Sequence, residues 1–213
     1  MIYDHNAPAY QKVYQQMGAG RWNGAYYYSK ELVENIIPHI ETDRDWVTIY
    51  VCGMICDHSV YFIHNNNSQA MYAPIKRYDD VLLVCGVPST VPKVERYAKA
   101  VYLPLSVDVE YVRQFKRRKT RGRAYVGRAG KRRKFAFDSD VAFLEGMPRE
   151  ELLEEMSRYR QVYAVGRCAI EAKALGCEVL PFDPRYPDPS LWQVMDNSEA
   201  VPILQGILDE VDG

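Results

Sequence analysis

Residues 163–183 read Tyr163-Ala-Val-Gly166-Arg-Cys-Ala-Ile-Glu171-Ala-Lys-Ala-Leu-Gly176-Cys-Glu-Val-Leu-Pro-Phe-Asp183. The pattern predicts a strand over Gln161–Val165, a tight turn at Gly166 and a helix over Arg167–Leu175. Gly176 closes that helix before a second strand over Cys177–Phe182. A strand that enters a helix through a glycine turn aims backbone N–H groups beyond the strand end, which suits a diphosphate. Glu171 lies about one turn into the helix, where a carboxylate can accept hydrogen bonds from two ribose hydroxyls.

The same alternation extends outward. Arg123–Arg128 reads as a strand. Pro148 at a first helical position, Glu150 and Glu151 in the first turn, and Leu152, Leu153, Met156 and Tyr159 on one face predict a helix. Val201–Val211 is a terminal amphipathic helix. In the N-terminal half, Trp46–Cys52, Val60–Ile63, Val81–Cys85 and Ala100–Leu103 are short apolar runs of the buried parallel-strand kind. Ser29 is placed to cap a helix carrying Leu32, Val33, Ile36 and Ile37, with Pro38 ending it, and Thr90–Tyr97 is a shorter helix. Strands alternating with helices predict an α/β protein with parallel sheets. The sequence divides into halves over 1–108 and 109–213.

Charge is unevenly distributed. The chain has 27 Lys and Arg against 28 Asp and Glu. Twelve of the basic residues fall between Arg113 and Lys134, a stretch without an acid, so the other 15 face all 28 acids and the remainder carries −13. One strongly positive segment in an acidic protein implies an anionic partner, phosphate or nucleic acid. The start of the chain has neither a basic leader nor a signal-type apolar run, and no stretch approaches a membrane span. The odd set Cys52, Cys56, Cys85, Cys168 and Cys177 lies mostly in apolar runs and reads as reduced thiols of a cytoplasmic protein.

Taken together, the stretches resemble the GT-B glycosyltransferases, especially their large retaining family. The resemblance spans roughly residues 80–213 and rests on three motifs in the family's order. Tyr102-Leu-Pro-Leu-Ser-Val-Asp108 is similar to the family's interdomain segment. Tyr125-Val-Gly127-Arg128, followed by Lys131 to Lys134, is similar to its Val-Gly-Arg…Lys stretch. The Gly166 turn with Arg167 and Glu171 is similar to its ribose-binding helix. The resemblance implies two Rossmann-like domains facing each other, the N-terminal acceptor domain reduced, and the donor domain C-terminal. It also implies that Arg128 and one of Lys131, Arg133 or Lys134 bind the donor pyrophosphate while Glu171 binds the ribose. Neutralising a diphosphate leaving group in this way is often the largest single catalytic contribution. The nucleotide sugar is then the donor substrate, and no separate cofactor is needed. Two positions depart from the family: Tyr163 replaces a second, sugar-contacting Glu, and Leu105-Ser106 replaces Asn-Gly.

Further residues carry chemistry on their own account. Gly18, Gly20 and Gly24 form a Gly-rich loop that would face the donor phosphates or serve only as a positive-φ turn. His64 follows Val60–Ile63 at a strand's C-terminal end, where an imidazole can take a proton from an acceptor hydroxyl or act as a hydrogen-bonded structural group. His5 and His58 are weaker candidates for the same role. Asp43-Arg-Asp45 and Asp138-Ser-Asp140 fit the short metal-binding signature of the other large glycosyltransferase fold, yet such triplets arise by chance in an acid-rich chain, so no metal site is assigned. Cys52, Cys56 and His58 do not have a structural zinc spacing. The basic run has three readings: donor diphosphate binding, a polyanionic acceptor such as DNA, or a solvated face. The function expected is sugar transfer from a nucleoside-diphosphate sugar to an acceptor hydroxyl, with modified DNA one candidate acceptor. The alternative is a non-catalytic nucleotide- or nucleic-acid-binding module on a degraded transferase fold.

Overall fold

The computed structural model describes residues 24–48, 57–63, 73–127, 130 and 135–213. They build two compact units. The first holds Ala25–Leu105 together with Asn197–Gly213, and the second holds Ser106–Asp196. Each is an α/β unit around its own four-stranded, all-parallel sheet, as the alternation of short apolar runs with helical segments requires.

In the first unit, helix α1 (Gly24–Glu31) runs directly into a π-helical turn (Leu32–Ile36) and a 3-10 turn (Ile37–His39). Leu32, Val33, Ile36 and Ile37 are buried as their spacing predicts. Ser29 is not a cap: the residues before it are already helical, and its side chain is buried inside α1. Pro38 falls in the closing 3-10 turn, where its missing N–H costs the helix nothing more.

Strands β1 (Asp45–Thr48), β2 (Ser59–Ile63), β3 (Val81–Cys85) and β4 (Lys99–Tyr102) lie side by side in chain order. All five β3 residues are buried, and each large one among them contributes about 1.5–3 kcal/mol by leaving water. The link to β4 is a 3-10 turn (Pro88–Thr90) and a single helical turn α2 (Val91–Val94), shorter than the Thr90–Tyr97 helix expected.

The terminal helix, Asn197–Asp212, starts four residues before the predicted Val201 and buries Ala200, Leu204 and Leu208 along one stripe. Asn197 Nδ2 donates to Glu31 Oε2 at 3.0 Å, and Gln205 bonds both backbone groups of Glu41. Arg44 donates twice to Asp212. A division at residue 108 gives this helix to the second half; the structure returns it to the first unit, because its apolar stripe and polar ends find their partners there.

In the second unit, strands β5 (Arg121–Val126), β6 (Val141–Leu144), β7 (Tyr159–Tyr163) and β8 (Glu178–Leu180) take the order β6-β5-β7-β8. Asp108 caps helix α3 (Val109–Arg113), accepting from the Tyr111 N–H at 2.8 Å. Helix α4 (Arg149–Ser157) follows Pro148, and α5 (Arg167–Ala174) follows Gly166. Edge strand β6 has no counterpart in the sequence reading. It is a four-residue apolar run, Val141-Ala-Phe-Leu144, whose Phe143 stays exposed. Ala124 and Val126 of β5 are buried, while Arg121, Arg123 and Tyr125 share the opposite face. There the buried Tyr125 ring lies 5.2 Å from Phe137 and 5.4 Å from Phe182, in an aromatic cluster that includes Phe135 and Tyr163.

Candidate functional site

Strand order marks out a candidate site in the second unit. After β5 the chain departs to β6 on one side; after β7 it departs to β8 on the other. In open parallel sheets the connections then diverge beyond the carboxyl ends of the two adjoining strands and leave a crevice where ligands bind. Tyr125 of β5 pairs with Tyr163 of β7, so Gly127 and Gly166 follow at neighbouring strand ends. The described strands of the first unit add in one direction and show no such reversal.

Both glycines are demanded by local geometry. Gly166, at the N-cap of α5, has φ 62° and ψ −138°, a region that side-chain-bearing residues avoid. A Cβ at Gly127 would lie 2.7 Å from the Tyr125 hydroxyl, too close for any side chain without movement of that ring. At Gly166 the eight-residue helix α5 presents its positive dipole end beyond the sheet.

Glu171 occupies the middle of α5 and is fully buried. Its Oε1 accepts from Arg167 Nε at 2.9 Å, one helical turn earlier, and from Arg149 Nη2 at 3.1 Å. Both arginines are themselves buried, and the Arg149 guanidinium also lies over the Tyr111 ring at 5.0 Å. Glu171 Oε2 makes no hydrogen bond among the described residues. The carboxylate expected to receive two ribose hydroxyls thus has one oxygen committed to an internal ion triad and one oxygen left over. Arg167, expected to touch the donor, is a member of the same triad. Arg149 was not singled out by the sequence. The available signal was a cation in the first turn of a helix, where the dipole favours acids.

Tyr163, at the position of the family's sugar-contacting Glu, packs its ring 5.1 Å from Phe137 and receives a long 3.4 Å bond from Arg123. Asp138 and Asp140 both close on Arg123, at 2.8 and 2.9 Å, with Asp140 bidentate. These bonds raise the Arg123 pKa, those to Asp140 most. The pair that mimics a metal signature is therefore an arginine clamp. Asp43 serves a different pairing, bonding His58 Nε2 at 2.7 Å, while His58 Nδ1 meets Asp80 at 2.6 Å. No cluster of potential metal ligands occurs among the described residues.

The basic run is partly neutralised within its own unit. Arg117 pairs with Glu154, Arg121 with Glu155, and Lys119 Nζ bonds Ser157 O and Cys177 Sγ. Gly20, His64, Arg128, Lys131 and Lys134 lie outside the described residues, as do Gly18, Cys52 and Cys56. Among the described residues no helix is long and apolar enough to cross a membrane. Comparison of the chain with protein-family models gave no match, and comparison with curated proteins gave none either.

Proposed function

We propose that the chain transfers a sugar from a nucleoside-diphosphate sugar to an acceptor hydroxyl, holding the donor diphosphate at the β5/β7 switch point. The observation that carries this reading is the meeting of two sterically required glycines, Gly127 and Gly166, at adjoining strand ends where the chain reverses its winding. Backbone can approach a phosphate closely at such a place, and the α5 dipole favours negative charge there. The resemblance of the three motifs to GT-B enzymes supplies the rest. Arg128 with Lys131 or Lys134 neutralises the leaving diphosphate, and His64 is the base; Glu171, fully buried beside Arg149 and Arg167, is left out of the ribose contact. The facing arrangement of two Rossmann-like halves is part of this proposal.

Calorimetric titration with UDP, GDP, ADP and CDP tests the donor site. One of them binds, and Arg128→Ala weakens it by roughly tenfold, the value of one charge-assisted contact. Absence of binding by all four nucleotides rejects the reading.

A second reading is a nucleotide-binding module without turnover. It is favoured by the commitment of Glu171 Oε1 to Arg149 and Arg167 and by the packing of Tyr163 into the aromatic cluster. Incubation with a panel of nucleotide sugars separates the two, since a transferase hydrolyses its donor slowly even without acceptor.

A further inference from the structure

Gly127 comes directly after the carboxyl end of β5. Arg113, Lys116 and Arg118 come before its amino end. The backbone N–H groups of Thr120 and Arg121 bond Arg158 O at 2.9 and 3.0 Å, just ahead of β7, and Lys116 extends over Gly176, just ahead of β8. These contacts fix the 116–121 segment at the amino edge of the sheet. β5 has six residues, which at about 3.3 Å each separate its two ends by about 20 Å. Cations at the amino edge cannot reach a diphosphate at the switch point.

Not every cation of that edge is spare. Arg117, Arg121 and Arg158 pair with Glu154 and Glu155. Arg113, Lys116, Arg118 and Arg160 are exposed, and among the described residues none has an ion-pair partner. They stand on a helix end, an irregular stretch and a neighbouring strand, so they do not converge on one small anion. A lipid surface is held best where apolar groups insert beside the cations, and among the described residues the exposed large apolar ones are Phe135, Phe143, Val194 and Ile203, none of which lies in this segment. Phe115 is only half-exposed and packs edge-on against Tyr111.

We infer that Arg113, Lys116, Arg118 and Arg160 form a second anion-binding surface, separate from the switch-point crevice, that holds the phosphate backbone of DNA. The inference stands whether or not the switch point binds a nucleotide. Contacts of this kind carry no sequence information and position the nucleic acid through charge.

Fluorescence anisotropy of the full chain with a labelled 20-base-pair DNA of arbitrary sequence, over a salt series, tests it. The wild type binds with a steep salt dependence, and the triple variant R113A/K116A/R118A loses about 0.9 of slope per removed contact and binds roughly tenfold or more weakly at low salt. The charge-preserving variant R113K/R118K keeps the slope. All these positions are exposed, so thermal melting checks that folding is intact. The affinity for whichever of UDP, GDP, ADP and CDP the wild type binds, measured on the triple variant by calorimetry, stays unchanged. Wild-type slope and affinity in the triple variant overturn the inference. So does a wild type that ignores DNA, or a triple variant that loses binding only to phosphatidylglycerol vesicles. A wild type that ignores UDP, GDP, ADP and CDP alike yet shows the DNA result sinks the donor reading alone.

Discussion

The carboxylate of Glu171 and the guanidinium of Arg149, 22 residues apart in sequence, meet at 3.1 Å in the interior of the second unit. Arg167 shares the same oxygen. Removing the acid leaves two buried cations facing each other, and breaking a buried pair in this way costs about 3–5 kcal/mol. Urea denaturation of Glu171→Ala is expected to show a loss of that size. Arg149→Met is milder, because Glu171 keeps Arg167, and the double variant E171A/R149M recovers part of the single loss. Equal stability of wild type and Glu171→Ala would remove the triad from the account.

His58 sits between two carboxylates, and its pKa is raised above 6.5, first by Asp80 and then by Asp43. Both acids are lowered by the same contacts, largest for each from the His58 hydrogen bond. A raised imidazole contributes stability that is complete below its unfolded value and fades as pH rises through the folded one. The depressed acids contribute above the ordinary carboxylate range and fade as pH falls. The contribution of this cluster to stability is therefore fullest on the mildly acidic side of neutrality, and His58→Ala removes its fade at alkaline pH. His58 also has φ 55°, so His58→Gly is more stable than His58→Ala by about 1 kcal/mol. Chemical denaturation across pH measures both effects.

Arg123 keeps Asp138 and Asp140 occupied. Millimolar Ca2+ or Mn2+ should leave the melting temperature of the wild type unchanged, whereas Arg123→Ala frees two adjacent carboxylates and gains a cation-dependent rise. A wild type that is stabilised by these ions contradicts the clamp.

Gly166→Ala forces a Cβ into a backbone region essentially restricted to glycine, at a cost of about 1–3 kcal/mol. Gly127→Ala drives its Cβ against the Tyr125 hydroxyl. Both lose stability in urea, and both weaken whichever nucleotide the wild type binds.

Burial pushes the Cys85 thiol up to about 12. It also raises Cys177, where Lys119 opposes the shift. Neither reacts with a thiol-specific disulfide reagent at pH 8 in the native protein, and both label fully in denaturant, which mass spectrometry of peptides resolves.

The sequence alone determined the local grammar of this chain. Val81–Cys85 is a buried strand with the bounds its apolar run predicts, and the strand–Gly166–helix–Gly176–strand succession appears within a few residues of its predicted limits. These features follow from apolar periodicity and from glycine's access to positive φ, both properties of neighbouring residues. Tertiary structure decided what depends on residues far apart: the β6-β5-β7-β8 order that creates the switch point, the burial of Glu171 between Arg149 and Arg167, and the return of the terminal helix through Arg44 and Asp212, 168 positions apart. Edge strand β6 and the capture of Asp138-Ser-Asp140 by Arg123 belong to the same class. A charged side chain carries its sign in the sequence, but its partner is chosen by which strands lie side by side.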